Sequence, residues 1–221
     1  MWRDALLVAG KDLRVELRSR VALAEVAPFA LVVLVLFGLA LGPDRSVLQN
    51  VATGLFWVAA LLATVLAVQR SFAIEAADDA RDGLRLSGLD PAGVFAGKGL
   101  AIAAQLVVIE IVLAVVAALL FDVHLSGGLT LIAICVAATT GLVAVGTVYG
   151  AVAARARVRE TLLPLLFLPV VAPVLLAAVK ASKAALAGTP SHGYGWLELL
   201  GVFAVVYVAV GAVAFGPLVE D

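Results

Sequence analysis

Cysteine is nearly missing from this chain, with Cys135 alone among 221 residues. One thiol cannot close an intramolecular disulfide, and it cannot supply the paired thiolates of a CxxC metal or redox site. It sits in an apolar run, where it reads as a small buried hydrophobe. Charge is scarce as well: 14% of residues are Asp, Glu, Lys or Arg, against about 25% in water-soluble domains. Hydrophobic residues make up 64% and mean hydropathy is +1.15. There is too little polar surface to clothe a soluble globule, so the excess apolar surface needs lipid as its solvent. A net charge of −1 gives no global pull toward nucleic acid. The sequence also has no GxxxxGK[ST] phosphate loop, and no Ser/His/Asp arrangement, paired-carboxylate site or metal-ligand cluster is recognisable in it. The chain therefore reads as non-catalytic, and any ATP-driven work would need a separate ATPase subunit.

What is present is a series of long apolar runs. A spanning helix needs about 20 mostly apolar residues, at about 1.5 Å each across a core of about 30 Å. Six stretches qualify, at 21–42, 47–68, 95–121, 129–154, 161–179 and 196–216. None shows the alternation of a barrel strand, and lipid tolerates only helices or closed barrels. The fold class is all-α, a polytopic membrane protein of six transmembrane helices.

Lys and Arg placement orients these spans. Arg3, Lys11, Arg14, Arg18 and Arg20 precede the first span. Arg70, Arg81, Arg85 and Lys98 flank or fill the second loop, and Arg155, Arg157 and Arg159 the fourth. Only Arg45, Lys180 and Lys183 of the 15 basic residues fall on the other side. The expected placement is the inner membrane with both termini cytoplasmic.

Residues 1–20 mix acids and bases without a continuous apolar core, so they do not read as a cleavable signal. Trp2, Leu6, Ala9, Leu13 and Leu17 recur at helical spacing while charges fill the other face. That pattern describes an amphipathic interfacial helix lying flat before the first span; a solvated tail is the alternative. Residues 21–221 then form the six-helix domain, with a cytoplasmic excursion at about 72–94.

That excursion carries charges of both signs: Glu75, Asp78, Asp79, Arg81, Asp82 and Arg85, with Gly83, Leu84 and Leu86 among them. Asp90-Pro91 closes it as a turn into the third span. A short charged helix held against the membrane makes a docking surface, whereas a solvated loop that only fixes topology is the plainer reading. Here the order Glu75, Asp82-Gly83-Leu84-Arg85-Leu86, Ser87-Gly88-Leu89-Asp90-Pro91 and Gly97-Lys98 resembles the coupling segment of ABC-2-type permeases. Lys11-Asp12-Leu13-Arg14-x-Glu16-x-Arg18 resembles their amphipathic elbow. Within that superfamily, the small size, six spans, basic turn after span four and Pro-rich run 163–174 are most similar to the CcmB family, haem-exporter permeases of cytochrome c maturation. Leu84 and Arg85 depart from the wider pattern, where Thr and Leu are usual.

The resemblance implies a homodimer bound to two copies of a separate, CcmA-like ATPase. Partners of CcmC-like and CcmD-like type and a CcmE-like haem chaperone would complete the assembly. Haem would be the substrate, handed across the bilayer or released on its chaperone, and ATP would act through the partner subunit at the segment from Asp78 to Leu89. Two alternatives stay open: an ABC-2 permease for lipid, drug or polysaccharide, and a non-transporting scaffold of the maturation complex.

Glu110 is the one acid near the middle of a span, and a charge at that depth is expensive. It either lines the translocation path or dimer axis, or is a protonated group bonded to Thr64, Thr139, Thr140 or a carbonyl. Glu25 lies near a span end and can reach the interface. Pro164, Pro169 and Pro173 remove backbone donors within span five, so that span is expected to be bent or broken, as a hinge or by simple packing. Gly38-x-x-x-Gly42 and Gly146-x-x-x-Gly150 permit close helix approach, within the subunit or between copies. His124 and His192 fall in non-cytoplasmic loops; haem iron is often held by His, but a loop His is more simply solvated.

Overall fold

A computed structural model of the chain describes residues 1–19, 22–42, 44–77, 88–123, 127–154 and 159–220. Among these residues every regular element is helical: α1 (Trp2–Ser19), a π-helical turn (Ala22–Val26), α2 (Ala27–Ala40), α3 (Arg45–Ala77), α4 (Pro91–Phe121), α5 (Gly128–Ala153), α6 (Arg159–Leu186), a 3-10 turn (Pro190–Gly193) and α7 (Tyr194–Glu220). Helices suit these apolar runs because each one satisfies its own backbone where no water can.

Five stretches are long and apolar enough to span a membrane: Arg45–Ala73, Pro91–Phe121, Gly128–Ala153, Leu162–Leu186 and Pro190–Leu218. The expected first span is the exception. Its apolar helix Ala24–Ala40 has 17 residues, about 26 Å at a rise of about 1.5 Å per residue. Pro28 marks an irregular turn within it. It stands in the first turn of α2 and has no N–H for the carbonyl of Ala24. The regular ladder lapses there, and a wider π turn precedes it.

Other boundaries moved outward. No Gly or Pro falls between Val68 and Ala77, and α3 continues to Ala77 rather than ending near 68. Likewise α6 runs past 179, so Lys180 and Lys183 are helical rather than in a loop. It stops where Gly188 turns left-handed (φ +72). There the N–H of Thr189 reaches the carbonyl of Ala184 at 3.1 Å and that of Gly188 the carbonyl of Ala185 at 3.2 Å, a glycine-based C-terminal cap. The Asp90-Pro91 turn is as expected: the Asp90 side chain accepts from Ala92 N at 3.2 Å, and proline opens α4.

Span five, expected to be bent or broken, is not broken. Pro164, Pro169 and Pro173 all lie inside α6, which is one helix from Arg159 to Leu186. Pro169 and Pro173 are exposed, while Leu163, Phe167, Val171, Val174 and Ala178 turn the other face into the core.

In α3 and α5 more than half of the most apolar stretch is buried, against a third or less in the other spans. Their contact is a notch. A Cβ on Gly150 would stand 2.5 Å from the Phe72 ring, and one on Gly146 would stand 2.8 Å from Val68. The Gly146-x-x-x-Gly150 pair therefore seats two α3 side chains one turn apart, inside the subunit. Gly38 similarly makes room for Phe121.

Candidate functional site beneath the N-terminal helix

Helices α3 and α4 bracket the charged segment singled out by sequence. Asp78, Asp79, Arg81, Asp82, Gly83, Leu84, Arg85 and Leu86 lie outside the described residues, and so does the Glu75 side chain, although its backbone belongs to α3. The flanks are described. At about 1.5 Å per residue, the 33 residues of α3 and 31 of α4 each reach well beyond a hydrocarbon core of about 30 Å. Several residues of each are left to project at an end.

Against the start of α4 lies α1. Ala5, Val8 and Ala9 are buried beneath it. A Cβ on Gly97 would meet the Ala5 carbonyl oxygen at 2.6 Å, and one on Gly93 the Met1 oxygen at 2.9 Å. Gly93-x-x-x-Gly97 is thus a bare backbone strip on which α1 rests. The Asp90 N–H donates to Asp4 Oδ2 at 3.4 Å at the same place. Trp2, Leu6 and Leu17 stay exposed, leaving an apolar edge on α1 that needs lipid or another apolar surface.

Under this contact lies a buried charge. Lys98 is 1% exposed, with Nζ 3.7 Å from Asp12 Oδ2 of α1 and 4.7 Å from the centroid of the Phe72 ring of α3. Asp12 also lies 3.1 Å from Lys11 Nζ. In the sequence, Lys98 counts among the topology-setting bases and closes, as Gly97-Lys98, the motif that resembles a coupling segment. The signal that pointed further is the small-residue pair placed directly before it.

Beside this cluster opens a cavity of about 800 Å³, lined by residues of α2, α3, α5 and α6, with Phe29, Leu66, Phe72 and Leu163 among its walls. Its charged edge is an ion pair, Arg70 Nη1 to Glu25 Oε2 at 2.5 Å. Glu25 thus reaches an exposed position, as its place near a span end suggested.

The remaining candidates are scattered. Glu110 of α4 is buried, and Thr139 of α5 donates to its Oε1 at 2.5 Å. Thr64 and Thr140 bond instead to carbonyls one turn back, Ala60 O at 2.8 Å and Val136 O at 2.6 Å. The geometry is that of an interhelical hydrogen bond. His192 sits exposed in the 3-10 turn between α6 and α7, and His124 lies outside the described residues. Among the described residues no three His, Cys, Asp or Glu come together as metal ligands. Cys135 is half-buried on α5.

The fold and this end of it define a polytopic α-helical membrane protein, with an N-terminal helix clamped to the base of one of its spans. Comparison gives the family: the chain matches the family described as CcmB protein over residues 3–220, and it belongs to that family. Heme exporter protein B of Haemophilus influenzae is 29% identical over 212 residues, 96% of this chain and 93% of the relative. The protein of the same name from Pseudomonas aeruginosa is 30% identical over 200 residues, 90% of each chain. That from Bradyrhizobium diazoefficiens is 30% identical over 206 residues, 92% of this chain and 91% of its own.

Proposed function

We propose that this chain is the membrane permease subunit of an ABC-type haem exporter that serves c-type cytochrome maturation. Membership of the CcmB family over nearly the whole chain is the observation that carries this reading. The projecting ends of α3 and α4 support a route for mechanical work. A segment held between the projecting ends of two spanning helices can be pushed from outside the bilayer. The push is delivered straight to α4, and through Phe72 of α3 to the notch in the enclosed α5.

On this reading the subunit sits in the inner membrane with both termini in the cytoplasm. The helix Ala24–Ala40 is the first of six crossings, standing nearly upright because 17 residues leave no length for tilt. The exposed Trp2, Leu6 and Leu17 anchor α1 at the cytoplasmic interface. Two copies pair with two copies of a separate ATPase, which docks on Glu75, Asp78, Asp79, Arg81, Asp82 and Arg85. CcmC-like and CcmD-like subunits and a CcmE-like chaperone receive or release haem. The chain itself hydrolyses nothing. Glu110 joins α4 to α5, and Pro169 and Pro173 of α6 face outward.

The test is ATPase activity and cytochrome c assembly of the co-purified permease–ATPase complex, wild type against Asp82→Ala/Arg85→Ala. An assembled complex that loses hydrolysis or cytochrome c output is the expected result. Unchanged hydrolysis and output would reduce the segment to a spacer and bring the scaffold reading forward.

A further inference from the structure

Lys98 has no part in the reading above, yet its ammonium is buried where three helices meet. Burying a charge is costly unless it is paired, and a lone lysine of this kind would normally be neutralised or replaced. Here the charge is matched on two sides, by the Asp12 carboxylate of α1 and by the face of the Phe72 ring of α3. Lys98 itself belongs to α4.

The position in the chain matters as much as the contacts. Phe72 stands five residues before the end of α3 at Ala77, and Lys98 seven residues after the start of α4 at Pro91. One side chain therefore joins the two flanks of the charged segment to each other and to the N-terminal helix. Glycines extend the connection in both directions. The strip at Gly93 and Gly97 lets the α1 backbone close on α4, and Gly150 receives the same Phe72 ring in α5. A displaced segment would thus carry α1, α3, α4 and the core helix α5 with it.

We propose that Lys98 is a positioning residue that pins the elbow helix α1 to both flanks of the segment, so that the three move as one body. Packing alone would not require the charge, because a methionine fills nearly the same volume. The pin requires it, because the attraction to Asp12 and to the Phe72 ring holds three separate elements at one point. The part of the proposal that concerns ATP-driven movement rests on the permease reading; the pin itself does not.

The experiment uses the full chain with its ATPase in nanodiscs. Cys135→Ser removes the native thiol, and spin labels go on Leu17→Cys and Leu100→Cys, both exposed in the native chain. Lys98→Met is expected to broaden the label distance distribution even without nucleotide, while the complex stays assembled. Cytochrome c matured per ATP hydrolysed should fall roughly ten-fold, the size of an ordinary coupling between sites. Lys98→Arg should restore both readouts, which a packing role would not do. Native label distances in Lys98→Met would overturn the pin. Broadened distances with an unchanged output per ATP would overturn its role in transmission. If the wild-type permease retains no ATPase, the permease reading falls, and the label distances alone still decide whether Lys98 holds the elbow.

Discussion

Two ion pairs at opposite ends of the helix bundle hold charge in different ways. At the α1 end, Asp12 and Lys98 are enclosed, with side-chain exposures of 14% and 1%, and helix backbones touch across bare glycines. At the far end, Arg45 and Asp122 form an equally simple pair at 3.2 Å, but with side-chain exposures of 80% and 56%. They stand near an open pocket of about 400 Å³ lined by Gln49, Asn50, Thr53 and Lys183. The same chemistry has different consequences. A buried pair must be kept intact once formed, because removing one partner strands a charge. An exposed pair can be dissolved by water and salt with little effect.

The sharpest way to break this comparison is Asp12→Ala. It removes the carboxylate 3.7 Å from the buried Lys98 ammonium and is expected to cost up to about 3–5 kcal/mol, read as thermal or denaturant unfolding in detergent. Asp12→Ala/Lys98→Met, which removes both charges, should recover most of that loss. If Asp12→Ala proves as mild as Asp122→Ala, the ends do not differ in the way described.

Glycine gives the next largest contrast. Gly97→Ala places a methyl against the Ala5 carbonyl, a rigid backbone atom; the expected loss is about 1–3 kcal/mol, together with looser α1, measured by proteolysis near residue 15. Gly128→Ala, at the start of α5 with nothing within 4 Å of its Cβ, should be neutral or stabilising by up to about 1 kcal/mol. Equal losses at both sites would show that α1 does not rest on α4.

Between the two ends lies Glu110. Glu110→Gln keeps a partner for Thr139 and should change stability by less than about 1 kcal/mol, the size of an interhelical hydrogen bond in lipid. Cytochrome c assembly should be intact; its loss with the protein still folded would move Glu110 onto the translocation path. The smallest effect is expected at Arg45→Ala, within about 1 kcal/mol and weaker still in high salt.

Much of this was legible in the chain. Apolar runs of about 20 residues fall where the helices are, and Asp90-Pro91 marks the start of α4, because length, polarity and local capping are properties of short segments. Helix ends were less legible. Both α3 and α6 run past their expected ends, α6 as far as Gly188, because charged residues such as Arg70, Lys180 and Lys183 do not stop a helix. The irregular start of the first apolar run was not legible for another local reason: hydropathy has no measure of the donor that Pro28 lacks. The prolines of α6 do not break it, since a helix in a bundle can run through them.

Sequence by itself determined that this chain lives in lipid, that it is helical, and which family it resembles, because composition and periodicity act residue by residue. Only the tertiary structure decided which partner each polar group takes. The motif that ends in Gly97-Lys98 does not say what the lysine touches, and nothing local distinguishes Thr139 from Thr140. Their roles appear when α1 closes on α4 and α5 packs beside it, bringing together groups 86 residues apart in one case and 29 in the other. Burial then decides the outcome, since a charge or hydroxyl withdrawn from water must be answered by whatever the fold has placed within reach.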